Sequence, residues 1–265
     1  GKSYVVKADP TLEVLAVNPY GSPRRARGGE QAAVAADVAA LAQATGAHLG
    51  AVLDADGEHL KLIDDTGHVL GDDQSLLAML KLVSSRVVGD TVALPVTVTR
   101  HAEALVEPHN IHVRRTKLAT SALMDAARDP GVGFAASTDG GFILPGFLPA
   151  FDAAASLVKL LELLALSGLR LSEVLEDLPR VRIARETVVT PWEQKGMVMR
   201  TLVEMSKDRV VELIDGVRVH HDEGWALALP DPEEPVTHVW AEAATDAEAK
   251  ALAKEYARRI RQMLR

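Results

Sequence analysis

The C-terminal part of the chain carries the pattern that most restricts the fold. Four short apolar runs follow one another closely, at 210–213, 217–220, 225–229 and 237–242. Turn residues separate them, and a stripe of apolar residues at helical spacing follows the last run. Such runs predict antiparallel strands, since short connections are enough to join antiparallel neighbours. We therefore expect a four-stranded antiparallel sheet with a helix, which is an α+β domain.

The preceding part of the chain predicts a different architecture. Strand-like runs at 91–98, 111–115 and 133–136 alternate with helical stretches at 73–83 and 118–128. This alternation predicts parallel βαβ units, with helices covering both faces of one sheet. The fold class expected for the whole chain is therefore α/β, with βαβ domains followed by the C-terminal α+β domain.

Composition limits the classes of function. The 265 residues are 48% hydrophobic, enough for packed domains, and the net charge of −8 disfavours binding to nucleic acid or acidic membranes. The chain has no cysteine, which excludes disulfides, zinc–thiolate sites and a thiol nucleophile. The longest apolar run, 153–166, contains Lys159 and Glu162 and is too short to span a membrane. We expect a cytoplasmic protein, and the abrupt start before a strand suggests a piece of a longer one.

The order of elements over residues 216–243 is distinctive: strand, Gly-Trp, strand, Pro-flanked loop and aromatic strand. It resembles the last domain of the α-D-phosphohexomutases, the phosphomannomutase and phosphoglucomutase family. The resemblance implies the end of the family's second domain at 1–72, its third domain at 73–186 and its fourth domain at 187–265. It also implies that the first domain, which carries the family's phosphorylated serine, lies outside this chain.

The resemblance implies a magnesium loop at Asp54-Ala55-Asp56-Gly57-Glu58-His59, where the family has D-G-D-G-D-R. Alternate residues of an extended backbone face one side, so Asp54, Asp56 and Glu58 could present three carboxylates to a magnesium ion. His59 stands where the family has arginine, and an imidazole cannot reproduce a bidentate guanidinium. The alternative is a plain hairpin with a turn at Asp56-Gly57.

The family's sugar-recognition loop, G-G-E-x-S-G-H, corresponds to residues 135–141. The glutamate that binds sugar hydroxyls falls at Ser137, the serine at Asp139 and the histidine at Gly141, and only Gly140 is retained. Two interpretations of these positions are possible: a sugar-binding site, or a Gly-rich turn between two strands. The residue types favour the turn.

The family's phosphate loop, R-P-S-G-T-E-P, falls on residues 229–235. Leu229, Asp231 and Glu233 replace its arginine, serine and threonine, while Glu234 is kept. The downstream family arginine falls at His238. Each carboxylate about 4 Å from a phosphate costs roughly 4 kcal/mol at an effective dielectric near 20. We therefore expect a degenerate, acidic turn here instead of a phosphate site.

Three functions remain open from the sequence. Residues 215–238, with D-G-V-R-V and L-P-D-P-E-E followed by V-T-H, are similar to the C-terminal mutase-like region of bacterial mannose-1-phosphate guanylyltransferase-type proteins. That likeness implies a non-catalytic module, with an upstream nucleotidyltransferase domain and a first mutase-like domain as its partners. The alternatives are an active phosphohexomutase, which interconverts hexose 1- and 6-phosphates, and a sugar-phosphate-binding regulatory module. A small basic cluster, Arg114, Arg115 and Lys117, could meet a sugar phosphate in the last case.

Overall fold

An antiparallel hairpin under a long helix forms the N-terminal unit. The computed structural model of the chain describes residue 13 and residues 28–86 and 88–265. Helix α1 (Gly28–Thr45) lies against strands β1 (Gly50–Leu53) and β2 (Leu60–Ile63), which pair from Gly50 with Ile63 to Leu53 with Leu60. The hairpin connection is the segment in which the magnesium loop is predicted.

A five-stranded mixed sheet forms the central unit, with strand order β4-β3-β5-β6-β7. Its elements in chain order are α2 (Asp72–Ser84), β3 (Thr91–Pro95), α3 (His101–Val106), a 3-10 turn (Glu107–His109), β4 (His112–Thr116), α4 (Thr120–Ala127), β5 (Val132–Ala136), β6 (Phe142–Leu144), β7 (Leu148–Phe151), α5 (Ala153–Ser167) and α6 (Leu171–Glu176). Strands β3, β4 and β5 are parallel, as predicted, while β6 and β7 are antiparallel additions.

Helices cover both faces of the central sheet. Helix α4 packs on the face that carries Ala93, Ala135 and Ile143, whereas α2 and α5 pack on the face that carries Leu94 and Phe134. Alternate residues of a strand point to opposite faces, so each strand must be apolar at successive positions to serve two helical layers. The predicted α/β class is confirmed.

A second five-stranded sheet forms the C-terminal unit, with all neighbours antiparallel and strand order β8-β12-β11-β10-β9. Its elements are β8 (Ile183–Val189), α7 (Trp192–Met205), β9 (Val211–Glu212), β10 (Val217–His221), β11 (Gly224–Pro230), β12 (Val236–Glu242) and α8 (Asp246–Met263). The prediction of four strands missed β8, an edge strand whose Arg185 and Glu186 interrupt the apolar pattern. The predicted boundary at residue 187 falls inside this strand.

The two faces of the C-terminal sheet have different partners. Ala226, Ala228 and Val239 pack under α7 and α8. Trp225 and Trp240 are each adjacent in sequence to one of these residues and therefore lie on the opposite face of the sheet. There they form one cluster with Val96 of the central unit. The sheet is therefore sandwiched between its own helices and the central unit.

Two glycines of the C-terminal sheet are required because the backbone of a neighbouring strand passes very close to them. Gly216 has φ +67°, and a Cβ there would lie 2.2 Å from the carbonyl oxygen of Ala228. At Gly224 a Cβ would lie 1.8 Å from the carbonyl oxygen of Glu242. Both contacts are far inside van der Waals distance, so only glycine fits.

Glu242 joins the central and C-terminal units. It is 1% exposed, and its carboxylate accepts hydrogen bonds from Thr99 Oγ1 (2.5 Å), the Arg100 amide (2.9 Å) and Trp225 Nε1 (2.5 Å). A buried carboxylate is stable only when hydrogen bonds replace its hydration. Within the described residues, no helix combines the length and apolarity needed to cross a membrane.

Candidate functional site

The hairpin loop between β1 and β2 is organised by Asp54. One carboxylate oxygen accepts the amides of Glu58 (2.8 Å) and His59 (3.1 Å), and the other lies 2.8 Å from His59 Nδ1. Burial alone would raise the pKa of Asp54, but the His59 side chain and the two amides outweigh burial and hold that pKa below its usual value. Both oxygens of Asp54 are therefore used inside the loop.

The loop does not fit a magnesium ion. Asp56 and Glu58 are exposed, and both oxygens of Asp54 already contact groups of its own loop. Magnesium requires several oxygen ligands in near-octahedral geometry. Across residues 28–86 and 88–265, no group of three His, Asp or Glu side chains is placed to hold a metal. The structure thus does not assemble the predicted site of Asp54, Asp56 and Glu58.

The hairpin loop and the predicted sugar loop are brought together by His59. Its Nε2 lies 3.5 Å from Asp139 Oδ2, while its Nδ1 holds Asp54. Ser137 Oγ donates a hydrogen bond to the Asp139 carboxylate, and the His59 ring stacks on Phe151 with centroids 5.8 Å apart. Sequence reasoning treated His59 only as a lost arginine and missed its bridging position.

Backbone contacts reinforce this bridge. The Leu60 amide donates to the carbonyl of Gly140 at 2.9 Å, and His59 forms an antiparallel bridge with Gly141. Gly140 has φ +89°, and a Cβ there would lie 2.2 Å from the Leu60 carbonyl oxygen. Glycine at 140 is therefore explained by close approach of two backbones, which is independent of any sugar.

The chemistry available at this bridge is limited. Both ring nitrogens of His59 face carboxylates, so neither is free to act as a general base toward a substrate. The Ser137 hydroxyl donates to the Asp139 carboxylate, and the other oxygen of that carboxylate lies 3.5 Å from His59 Nε2, so both groups are engaged in the bridge. The bridge between the two loops is a structural contact.

The predicted phosphate loop is closed by its own carboxylate. Asp231 Oδ1 accepts the amides of Glu233 (2.8 Å) and Glu234 (2.7 Å), and Asp231 Oδ2 lies 3.0 Å from His238 Nε2. The amide of Glu233, then that of Glu234 and the His238 imidazole, hold the pKa of Asp231 below its usual range. Consecutive amides of a turn form an anion-binding concavity, and here Asp231 fills it.

A lysine that sequence reasoning missed lies behind this loop. Lys195 Nζ donates to the carbonyls of Asp231 (2.6 Å) and Glu234 (2.5 Å) and sits 3.5 Å from the centre of the Trp192 ring. Lys195 is 9% exposed and lies 36 residues before Asp231, so no local pattern could have indicated it. Its ammonium binds the loop's carbonyls and is not presented to a ligand.

The remaining positions of the loop have become structural. Leu229, at the position predicted for the family's arginine, is 8% exposed and belongs to the apolar cluster of Trp225 and Trp240. His238, at the position predicted for the downstream family arginine, packs against Trp240 with ring centroids 5.4 Å apart. The positions that would bring positive charge to a phosphate thus carry a core side chain and a paired imidazole.

The basic cluster of the central unit is also engaged. Arg115 donates to Glu103 at 2.9 Å and to the carbonyls of Val98 and Thr99, and Arg114 lies 3.0 Å from Asp129. These two guanidinium groups already have carboxylate partners and carry no open phosphate site.

Comparison with known proteins agrees with the fold. Residues 71–181 match the family model of phosphoglucomutase/phosphomannomutase, alpha/beta/alpha domain III. The probable phosphoglucosamine mutase of Methanopyrus kandleri is 29% identical over 222 residues, which cover 83% of this chain and 49% of that protein. The phosphoglucomutase/phosphomannomutase of Thermococcus kodakarensis is 22% identical over 211 residues, covering 79% of this chain and 46% of that protein.

Solved structures give the same relationship. A phosphoglucomutase/phosphomannomutase family protein from Burkholderia thailandensis has a TM-score of 0.71 at 27% identity, covering 84% of this chain and 48% of that one. The Aspergillus fumigatus N-acetylphosphoglucosamine mutase, solved with GlcNAc-6P and magnesium, shares the fold with a TM-score of 0.58 at 15% identity, covering 81% and 48%. The chain therefore spans about half the length of the relatives it matches. Over residues 71–181 the chain matches the phosphoglucomutase/phosphomannomutase domain III model, and in sequence and fold it is similar to α-D-phosphohexomutases.

Proposed function

We propose that this part of the protein is a phosphohexomutase-type module that does not itself transfer phosphate. One observation carries the proposal: the Asp231 carboxylate occupies the amides of Glu233 and Glu234, where an anionic ligand would otherwise bind. A phosphate approaching those amides must displace a carboxylate that belongs to the loop. It also meets the like charges of Glu233 and Glu234 at close range.

The other two loops support the same proposal. Asp54 is saturated by its own hairpin, and His59 uses both ring nitrogens to join Asp54 to Asp139. A phosphoryl transfer of this kind depends on placed cations and hydrogen-bond donors, because electrostatic stabilisation supplies most of the catalysis. In these loops, the carboxylates of Asp54, Asp139 and Asp231 are instead engaged by groups of the protein itself.

The proposed context is a longer protein that makes GDP-mannose. The resemblance of the sequence motifs in residues 215–238 to mannose-1-phosphate guanylyltransferase-type proteins supports this context. In it, an upstream nucleotidyltransferase domain converts GTP and mannose 1-phosphate to GDP-mannose and pyrophosphate. That domain and a first mutase-like domain would be the partners within the same protein, in the cytoplasm and without nucleic acid. Assaying the full-length protein for GDP-mannose tests the context, and a protein that forms none contradicts it.

An active phosphohexomutase is the second candidate, because the related proteins are named as mutases. A coupled assay of the full-length protein on glucose 1-phosphate and mannose 1-phosphate, with a hexose bisphosphate activator and magnesium, separates the two candidates. We expect no turnover above that of a matched protein whose phosphate loop is deleted. Turnover within a few fold of an ordinary mutase would refute the proposal.

The occupied loop can be tested directly. Asp231→Ser removes the carboxylate and offers the two amides only a shorter hydroxyl, which is a weaker acceptor, whereas Asp231→Asn keeps an acceptor of the same shape and serves as the matched control. We expect glucose 1-phosphate to shift the amide resonances of Glu233 and Glu234 in the serine variant and to leave them unchanged in the wild-type and asparagine proteins. Equal shifts in all three proteins would show that the carboxylate does not block the loop.

A further inference from the structure

Helix α8 carries a row of cations along one exposed flank. Basic side chains recur at nearly every turn, and all of them are exposed: Lys250, Lys254, Arg258 and Arg261. With 3.6 residues per turn, these four positions fall within an arc of about 80° around the helix axis and span about 16 Å along it. We call them together the basic flank of α8.

The acidic residues of α8 do not neutralise the basic flank. Asp246 lies 3.3 Å from Arg180, which precedes the C-terminal sheet. Glu248 accepts a hydrogen bond from the hydroxyl of the N-cap threonine at 2.8 Å, and Glu255 pairs with Arg259 of the same helix. The carboxylates of the helix are therefore engaged away from its row of cations.

One carboxylate from another element reaches the basic flank. Glu186 of β8 lies 3.7 Å from Arg261. Among the residues that the structure describes, Lys250, Lys254 and Arg258 have no carboxylate within 4.0 Å. Three cations of one helix face are therefore available to a partner.

Helix electrostatics explain only part of this pattern. The negative end of the helix dipole favours a cation in the last turn, which accounts for Arg261. Lys250 and Lys254 lie in the first half of the helix, where the dipole gives them no such advantage. Their spacing of four residues places two like charges side by side, which destabilises a helix slightly. An anionic surface bound to this flank would relieve that repulsion.

Small side chains beside the cations leave room for another backbone. Ala247 and Ala251 are exposed, and each lies three residues before one of the two lysines. The distance between two packed helices depends on the size of the side chains at their contact. A partner helix can therefore approach α8 closely along this flank while the longer lysine side chains reach its carboxylates.

The remaining surface of the protein restricts the kind of partner. Ala253, Tyr256 and Ile260 of α8 are buried against the C-terminal sheet, so the helix has no apolar face to offer a bilayer. The four cations contribute +4 to the net charge of −8, so the rest of the chain carries −12. That charge repels a broad polyanion, such as duplex nucleic acid or an acidic membrane, whereas a partner one helix wide meets the basic flank alone.

We infer that the basic flank of α8 docks an acidic helix of a partner protein, whose carboxylates recur every four residues and face Lys250, Lys254 and Arg258. Four residues of a helix rise about 6 Å, so two helices with this spacing keep opposite charges in register over several turns. The inference uses none of the three loops discussed above and does not depend on the proposed function.

Fluorescence anisotropy tests the inference with a labelled alanine-based peptide that carries glutamate at every fourth residue. We expect this peptide to bind at low ionic strength, where surface charges are least screened, and the same peptide with glutamine in place of glutamate not to bind. Lys254→Gln should weaken binding by about twofold to fivefold, the range of one exposed ion pair. Lys117→Gln removes an exposed lysine of the central unit instead, so it is the matched control and should leave the affinity unchanged.

The double variant Lys250→Gln, Lys254→Gln should lose more affinity than the single variant. It also removes the like-charge pair, so its thermal unfolding should show no loss of stability and a loss of binding is not a loss of fold. Oligothymidylate and vesicles that contain phosphatidylserine serve as competing anions.

Three results would overturn the inference: equal binding of the glutamine peptide, equal affinity of the Lys254→Gln and Lys117→Gln variants, or tighter binding of oligothymidylate or the vesicles than of the glutamate peptide. Mutase turnover would contradict the proposed function and leave these measurements untouched, so the two failures are distinguishable.

Discussion

Replacing Glu242 should show how strongly one buried carboxylate couples the two larger units. In Glu242→Ala, the Thr99 hydroxyl, the Arg100 amide and the Trp225 indole N–H all lose their acceptor. Thr99 and Trp225 are each 1% exposed, so water does not readily replace the carboxylate. The variant therefore leaves three donors unsatisfied at an interface inside the protein.

The expected magnitude follows from those three donors. Each buried donor left without a partner costs about 1–3 kcal/mol, which sums to roughly 3–9 kcal/mol. Removal of a buried charge offsets part of this cost, because the carboxylate itself was desolvated. We expect a net loss of about 3–5 kcal/mol, which is a large fraction of the stability of an ordinary domain. Glu242→Gln keeps one acceptor oxygen and should lose about half as much.

Urea unfolding followed by circular dichroism and tryptophan fluorescence measures this loss. Glu223→Ala is the matched control, because Glu223 lies 3.4 Å from the same Arg100 but is exposed, and such surface pairs contribute about 0.5 kcal/mol or less. We expect Glu242→Ala to lower the midpoint far more than the control. A loss under about 1 kcal/mol, or one equal to that of Glu223→Ala, would refute the assignment of Glu242 as the joining residue.

Three further changes test other parts of the structure. Gly224→Ala places a Cβ 1.8 Å from a carbonyl oxygen and should lower the free energy of unfolding by more than about 3 kcal/mol. Gly196 lies in the interior of α7, and a Cβ there would be 3.7 Å from its nearest neighbour, so Gly196→Ala should raise the free energy of unfolding by about 0.5–1 kcal/mol. Thermal unfolding of both variants measures the contrast. The pKa of Asp54 is lowered in the folded state, so its contribution to stability is present above about pH 4 and disappears as the pH falls through that lowered pKa. Asp54→Asn should therefore flatten the acid side of the plot of unfolding free energy against pH. An unchanged acid side would contradict the hairpin geometry. Lys195→Met removes two charged hydrogen bonds to the 231–235 loop and should lower the free energy of unfolding by about 2 kcal/mol. The amides of Glu233 and Glu234 should then exchange their hydrogens faster. Unchanged exchange would show that the ammonium does not stabilise the loop.

Most strands and helices were predictable because the sequence patterns that indicate them are local. Each C-terminal strand is a short apolar run bounded by turn residues, and Gly216 and Gly224 mark places where two backbones approach closely. Strand β8 escaped prediction because it is an edge strand, where Arg185 and Thr187 are exposed and the apolar pattern is broken. Sequence periodicity reports burial, so it fails where a strand is only partly buried.

The connections between the loops were not predictable. Asp54, His59 and Asp139 were each assigned to a loop by position, yet the contact between His59 and Asp139 depends on how two units pack. Lys195 illustrates the same limit, since its partners are carbonyl groups whose direction is set by the turn at 231–235. Residue type indicates which chemistry is possible, and only the fold decides which groups meet.

The proposed loss of phosphate ligands and the observed fold of the C-terminal unit have one physical explanation. A loop that binds phosphate through its amides leaves those amides unsatisfied whenever the ligand is absent, and unsatisfied donors weaken the ordered loop. Asp231 satisfies the amides of Glu233 and Glu234 permanently, and Leu229 adds apolar contact instead of a guanidinium that would need a counter-ion. These contacts make the order of the loop independent of a ligand, and under the proposed function they leave it without affinity for phosphate. At Gly224 no such exchange is possible, because the cost of a side chain there comes from backbone contact and is the same whether or not the protein binds phosphate.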